Sequence, residues 1–207
     1  FAISLEQNLE SILDKVIGIN HRGMGKGFGV NGEWKFISDI TSEKHRNDCD
    51  SSCTSCIRYY SNQGEHGLMD WRLGLDLLRL LRNPEDDFFA TCKGNLSETL
   101  DELESDHRSE LLQQMERIQK RLLSSSGEGI EKRRYGDLLG VFDTVNKITY
   151  IIVHPFWALP EHEGKNTAPI VEYTILKAME SGEGDKIVFI DTFNGERRPS
   201  WSMHGLV

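Results

Sequence analysis

The sequence lacks the features that would place this chain in several large classes of protein. It has no apolar run of about 18 residues, the length that crosses a membrane, so we expect no membrane partner. It also lacks the GxxxxGK(S/T) loop and the Asp-Glu-x-His box of ATP-driven motors. These residues alone are therefore not expected to hydrolyse ATP.

The chain also lacks an excess of basic residues. It carries 24 Lys and Arg against 33 Asp and Glu, a net charge of −9. This balance argues against an evenly basic surface that would bind nucleic acid, and favours a surface that binds another protein. Basic residues are nevertheless concentrated locally, in KRRY at 132–135 and in ERR at 196–198.

Cysteine is scarce, and its distribution is uneven. Only four cysteines are present, and three of them, Cys49, Cys53 and Cys56, fall within eight residues. A disulfide framework is rarely so compressed in a chain of this length, whereas a tight cluster is typical of a metal site in a reducing compartment. We therefore expect an intracellular, cytoplasmic protein.

The spacing within this cluster predicts a metal site. Cys49-x3-Cys53 and Cys53-x2-Cys56 both have the separation at which paired thiolates hold one tetrahedral ion, and thiolate sulfur suits zinc. We expect one structural Zn²⁺. An iron–sulfur cluster and a redox-active Cys53-x2-Cys56 pair remain as alternatives.

The cysteines supply three ligands, so a fourth must come from elsewhere. We rank His66 first, because it lies in a loop that could fold back onto the cluster. Cys92 ranks second, because it could return along the far side of a leucine-rich helix. His45, four residues before Cys49, ranks third.

The pattern along the chain predicts an α+β fold. A helical, zinc-pinned module is expected at 1–95, with helices at 3–17 and 71–81 and a strand at 34–40. Residues 96–134 are expected to form a long charged helix, exposed or acting as a lever, and a linker. Residues 135–207 are rich in β-branched and aromatic runs and predict a small α/β unit with the order strand–strand–helix–strand.

The stretch CDSSCTSCIRYYSNQGEHGLMDWRLGLDLLRLL strongly resembles the MrfA-type zinc-binding domain, a helicase-associated family. The resemblance covers residues 1–82, and its second part is the more specific. One departure concerns the metal: some members carry a further cysteine at the position of Asn47, which leaves the fourth ligand open. The matching residues are Cys56, Arg58, Tyr59 or Tyr60, Asn62, His66, Asp70, Trp71, Arg72, Leu73, Gly74 and Leu75.

The resemblance implies a function that this chain would share. Domains of this family belong to superfamily 2 DNA helicases, or to their partner subunits, in DNA repair or in defence against phage. The expected function is that of a non-catalytic zinc-binding region that positions DNA or docks a partner. The expected partners are DNA and helicase motor domains, in the same chain or in another subunit.

Several basic and aromatic residues are candidates for contact with nucleic acid. Arg197 and Arg198 could bind phosphates while Trp201 stacks on a base. Arg58 and Arg72 flank the cysteine cluster and could also bind phosphate. The alternative for each arginine is an ion pair inside the protein, and for Trp201 a half-buried packing position.

Two further functions compete with the helicase-associated one. The first is a protein–protein interaction module of a multi-subunit defence complex, which the net charge favours. The second is a metal-dependent nuclease built on Asp143, Glu172 and Asp191, all close to predicted strands. No lysine has the spacing of a restriction-type site, so these acids are also candidates for capping turns.

Overall fold

The computed structural model describes residues 40, 42–82, 105–125, 127–160 and 167–204. It divides into two compact units, Phe1–Pro84 and Glu85–Val207, and has the predicted α+β composition. The predicted helix at 3–17, nearly all of the strand predicted at 34–40, and Cys92 lie outside the described residues. Every helix in the described ranges is too short or too polar to cross a lipid bilayer.

The first unit contains short helical elements around the cysteine loop. Helix α1 spans Glu43–Asp48, a 3-10 helix spans Tyr60–Glu65, and helix α2 spans Trp71–Arg82. The carboxylate of Asp70 accepts hydrogen bonds from the backbone N–H groups of Arg72 and Leu73. Asp70 therefore caps α2, because it satisfies amides that have no partner within the first turn of a helix.

Among the described residues, the core of this unit consists of Ile40, Trp71 and Leu75 together with two of the cysteines, Cys49 and Cys56. Two of the three clustered cysteines are therefore part of the apolar core.

The second unit is built on a four-stranded sheet with the strand order β1-β2-β3-β4. The first three strands are antiparallel neighbours, and β3 and β4 are parallel. The strands are β1 Ile130–Tyr135, β2 Leu138–Asp143, β3 Ile148–Val153 and β4 Ile187–Asp191.

Four helices accompany the sheet. Helix α4 connects the parallel pair β3 and β4, as such a pair requires. The helices are α3 Ser105–Ser125, α4 Pro169–Glu180, α5 Thr192–Arg197 and α6 Pro199–His204. The predicted order strand–strand–helix–strand therefore corresponds to β2, β3, α4 and β4.

Helix α3 differs from its prediction as an exposed helix or lever. Met115, Ile118 and Leu122 are fully buried on the side of α3 that packs against the sheet and against α5 and α6. Gln119 is buried as well, and its amide Nε2 donates to the carbonyl oxygens of Arg133 and Gly140, at 2.8 and 2.6 Å. Helix α3 is thus a core helix of the second unit.

Strand β1 falls inside the segment 96–134 that the sequence predicted to be helix and linker. Its residues are largely charged, and five of its six positions, from Ile130 to Arg134, are exposed or half-exposed. Such a strand fits at the edge of a sheet, where charge discourages unwanted pairing with another chain. The α/β unit therefore begins earlier than residue 135.

Candidate metal centre

Three cysteines and one histidine form a cluster of ligand atoms in the first unit. The imidazole of His45 and the thiols of Cys49, Cys53 and Cys56 lie within 4.8 Å of one another. Among the described residues, this is the cluster of side chains that could hold a metal ion. It contains the three cysteines that the sequence predicted as metal ligands. Sulfur and imidazole nitrogen are donors that transition metals prefer.

Helix α1 positions the first two members. Cys49 lies at the C-terminal end of α1, and its backbone N–H donates to the carbonyl oxygen of His45 at 2.9 Å. Residues four apart share one face of a helix, so the helical bond brings the two side chains to the same side. Ser42 caps the other end of α1, where its hydroxyl accepts from the His45 amide.

A tight turn positions the other two members. The backbone N–H of Cys53 donates to the Sγ of Cys56 at 3.0 Å. The N–H groups of Cys56 and Arg58 both donate to the carbonyl oxygen of Cys53, each at 3.1 Å. These bonds hold the side chains of Cys53 and Cys56 beside each other on one short turn.

The backbone also fixes the orientation of His45. Its Nδ1 lies 2.8 Å from the carbonyl oxygen of Ile40, and a carbonyl only accepts, so Nδ1 carries the proton. Nε2 then presents its lone pair toward the cluster, 3.4 Å from the Sγ of Cys53. A histidine that binds metal through one nitrogen usually donates from the other in this way.

The thiols have unequal pKa values. Burial raises the pKa of Cys49 to about 12, and the charge of Cys56 adds to the rise. Burial opposes ionisation of Cys53 too, but hydrogen bonds to its sulfur, the Ser55 backbone N–H among them, lower its pKa to about 7. Three thiolates cannot share this space without a cation, because each negative charge disfavours the next.

The start of helix α2 fastens the loop that carries the cysteines. The buried guanidinium of Arg72 donates to the carbonyl oxygens of Arg46 at 3.2 Å, Cys49 at 3.0 Å and Asp50. It also lies 4.4 Å from the centre of the Trp71 ring, and the backbone of Trp71 donates to Ser51. The geometry therefore favours an internal, structural role for Arg72 over contact with phosphate.

His66, ranked first as fourth ligand, lies outside the cluster. Its Nε2 is 3.0 Å from the carbonyl oxygen of Tyr59 and 2.9 Å from Oδ1 of Asn62, so Nε2 donates and has no lone pair for a metal. Asn62 in turn bonds the backbone of Ile57 and Tyr59. His66 therefore organises the loop after Cys56, and His45 takes the place among the ligand atoms.

The other basic candidates are accessible to different degrees. Arg58 is half-exposed, and its Nε donates to the Ser52 hydroxyl at 2.8 Å. In the second unit, the guanidinium of Arg197 lies 3.8 Å from the centre of the Phe193 ring. Arg198 is exposed at the junction of α5 and α6, and Trp201 is 48% exposed.

Of the three carboxylates considered for a nuclease, Asp143 and Asp191 bond the backbone, and Glu172 is exposed in the first turn of α4. Asp143 accepts from the backbone of Val145 and Asn146 in the β2–β3 turn, and Asp191 accepts from Asn194 at the start of α5. The pairing of Asp143 with Ile148 and of Asp191 with Val153 places them at opposite ends of β3, about 16 Å apart along the strand.

No family model, curated protein or solved structure gives a significant match to this chain. The resemblance to the MrfA-type domain therefore stays a prediction. A signal for His45 was nevertheless present in the sequence, since His45 and Cys49 have the i, i+4 spacing of two ligands on one helix.

Proposed function

We propose that His45, Cys49, Cys53 and Cys56 hold one structural zinc ion, and that the chain is a non-catalytic accessory region of an ATP-dependent DNA helicase. The observation that carries the zinc assignment is the convergence of one imidazole and three thiols. The helicase assignment is supported by the resemblance of residues 56–75 to the MrfA-type domain.

Two distances within the cluster match those of a tetrahedral zinc site. With Zn–S bonds of about 2.3 Å and Zn–N bonds of about 2.0 Å, tetrahedral geometry separates two sulfurs by about 3.8 Å and a sulfur and a nitrogen by about 3.5 Å. The Sγ atoms of Cys49 and Cys56 are 3.9 Å apart, and Sγ of Cys53 is 3.4 Å from Nε2 of His45.

Four protein ligands would complete the coordination of zinc and leave no open position for a substrate. Bound zinc would supply cross-linking rather than catalysis. The chain's own residues would hold the site in place: the Ile40 carbonyl orients His45, and Arg72 secures the backbone of Cys49. Because Cys49 and Cys56 are themselves buried in the described core, the ion would cross-link residues of that core.

Elemental analysis of the purified chain tests the metal. We expect one zinc per chain in the wild type and little or none in Cys56→Ser. Iron in place of zinc would assign a cluster instead. A chain without bound metal, with unchanged stability in Cys56→Ser, would contradict the proposal.

The net charge of −9 is unevenly distributed along the sequence, since residues 97–116 carry seven acidic residues and one basic residue. Residues 40–82 carry six basic and six acidic residues, so the segment around the metal centre is neutral. Arg58, Arg198 and Trp201 have the exposure that contact with a DNA strand requires.

Association with a motor can be tested by affinity purification from the cells that make the protein. We expect DNA-stimulated ATPase and strand-separating activity to co-purify with the tagged wild-type chain, and to be lost with Cys56→Ser. Wild-type protein that purifies without such activity would contradict the helicase assignment and leave the zinc assignment standing.

A protein-interaction module is the second candidate, and one feature of α4 favours it. Tyr173, Leu176 and Met179 lie at helical spacing on one face and are 41%, 56% and 57% exposed. The salt dependence of binding distinguishes a DNA-binding region from a protein-interaction module. Binding through phosphates weakens steeply as salt rises, whereas an apolar contact does not.

A further inference from the structure

Two consecutive tyrosines beside the metal centre are unusually exposed. Tyr60 is 93% and Tyr59 is 61% exposed, more than Tyr173 and Trp201 in the second unit. An aromatic ring in water forgoes the stabilisation that burial would give it. Their exposure therefore favours a role in binding a ligand that has a flat surface on which a ring can stack.

The backbone beneath these rings is fixed. The Tyr59 N–H donates to Oδ1 of Asn62 at 2.8 Å, and the Tyr59 carbonyl oxygen accepts from the Asn62 amide and from Nε2 of His66. The metal-cluster residue Cys56 lies three positions before Tyr59. The rings are thus held outward by a hydrogen-bonded loop anchored at the metal centre.

A positively charged group accompanies the rings. The Nε of Arg58 is tethered to Ser52, and its two terminal nitrogens have no hydrogen-bond or ion-pair partner in the part of the chain that the structure describes. Tyr59 has extended backbone angles, φ −128° and ψ 163°. Arg58 and Tyr60 therefore flank a single extended residue of the loop, and Tyr60 begins the 3-10 helix.

We propose that Arg58, Tyr59 and Tyr60 bind an unpaired segment of nucleic acid, with a base stacked on Tyr60 and a phosphate bound by Arg58. This inference rests on the proposed association with DNA and specifies the form of DNA and the contact. Stacking requires the flat face of a base, which an intact duplex hides between neighbouring pairs. A tethered guanidinium with free terminal N–H groups suits phosphate oxygens.

The surroundings favour a nucleic acid over a protein partner. Ser61, Gln63, Gly64 and Glu65, which follow the rings, are all exposed and none is apolar, and they separate the rings from the exposed apolar side chain of Leu68. A protein-docking site is expected to have a continuous apolar centre. Isolated rings beside a cation are instead typical of a single-strand binding surface.

Fluorescence anisotropy tests the inference with the full, zinc-loaded chain. The probes are a labelled oligothymidine strand, its duplex with oligoadenosine, and an oligouridine strand of equal length. We expect the single strands to bind more tightly than the duplex, and Tyr60→Ala to weaken single-strand binding about tenfold. Tyr60→Phe should bind like the wild type, since it keeps the ring. Oligouridine binding as tightly as oligothymidine would extend the ligand to RNA and support the stacking contact.

Arg58→Ala should weaken binding and lower the slope of log affinity against log salt by about one. Tyr173→Ala is the matched control, because Tyr173 is an exposed tyrosine of the other unit, and it should change neither quantity. Zinc content equal to that of the wild type shows that each variant is folded.

Three results would overturn the inference. They are unchanged single-strand affinity in Tyr60→Ala, equal affinity for duplex and single strand, or no binding of any probe. Loss of motor co-purification in Tyr60→Ala, with oligonucleotide binding intact, would assign the ring to a protein contact instead. The zinc assignment and the co-purified helicase activity are measured separately, so failure here leaves the proposed function testable by itself.

Discussion

The Nε2 atom of His45 faces the Sγ of Cys53 across 3.4 Å, while its Nδ1 is held by the Ile40 carbonyl. The Ile40 contact places the proton on Nδ1 and leaves the Nε2 lone pair facing the cluster, so the ring is oriented to bind a metal before the metal arrives. His66 instead donates from its Nε2 to the loop after Cys56, so that nitrogen is not available to bind a metal.

These two histidines should therefore respond differently to substitution. We expect His45→Ala to weaken zinc binding about 100-fold or more, because it removes a ligand. His66→Ala should retain one zinc and lose about 1 kcal/mol of stability, from the hydrogen bonds to Tyr59 and Asn62. A competition titration with a chromogenic chelator measures both affinities. Equal affinities, or the opposite order, would contradict the assignment of His45.

The metal-free thiols should titrate separately. The folded pKa of Cys53, about 7, is below its ordinary value of 9.0, so its thiolate stabilises the metal-free fold above pH 9, and this contribution is lost as pH falls through 7. The folded pKa of Cys49, about 12, is above 9.0, so its contribution is present below pH 9 and is lost as pH rises toward 12.

Initial alkylation rates, followed by mass spectrometry, measure this difference. In metal-free protein we expect Cys53 to react with iodoacetamide with a midpoint near pH 7 and Cys49 to resist reaction beyond pH 9. Zinc should protect both thiols, and its affinity should fall as pH falls, because protons compete for the ligands. A shared midpoint for the two thiols would contradict the prediction.

Arg72 should be a determinant of stability rather than of DNA binding. Arg72→Met keeps the aliphatic bulk but leaves buried carbonyl oxygens of Arg46, Cys49 and Asp50 without their donor. We expect a loss of about 3 kcal/mol, measured as the urea midpoint of zinc release. Arg58→Met is the matched control and should cost less than about 1 kcal/mol, since Arg58 is half-exposed. Equal losses would show that the carbonyl contacts of Arg72 add nothing.

The second unit offers a test of its packing at Gly140. A Cβ at this position would overlap the backbone carbonyl oxygen of Tyr150 on the neighbouring strand β3. Backbone cannot move aside as a side chain can, so Gly140→Ala should cost about 2 to 3 kcal/mol in urea unfolding. Gly127→Ala, whose Cβ would meet nothing within 4 Å, should change stability by less than about 0.5 kcal/mol. Similar midpoints for both variants would contradict the close strand approach.

The sequence predicted the structure best where the spacing of ligand residues or a run of β-branched residues gave a direct signal. The cysteine spacing predicted the cluster, and the β-branched runs predicted β2, β3 and β4. The apolar stripe of α3, Leu111, Met115, Ile118 and Leu122, was also visible at helical spacing. The acidic segment that precedes it dominated the composition and favoured an exposed helix, whereas tertiary packing decided the outcome.

Two features could not be read from local pattern. Strand β1 is rich in charge, and only its place at the edge of the sheet makes such a sequence compatible with pairing. The choice of His45 over His66 depends on how the chain folds back at Ile40 and Asn62, because those contacts decide which imidazole nitrogen is free.

The position of Trp71 gives the first unit an intrinsic optical reporter. Its indole N–H points to the Cys49 carbonyl at 3.5 Å, and its ring centre lies 5.4 Å from that of His45. Ligation of a metal by His45 and Cys49 would alter the polarity around the indole and so shift its emission. Tryptophan fluorescence could then follow metal uptake and release in real time, without a label and without a chelating dye.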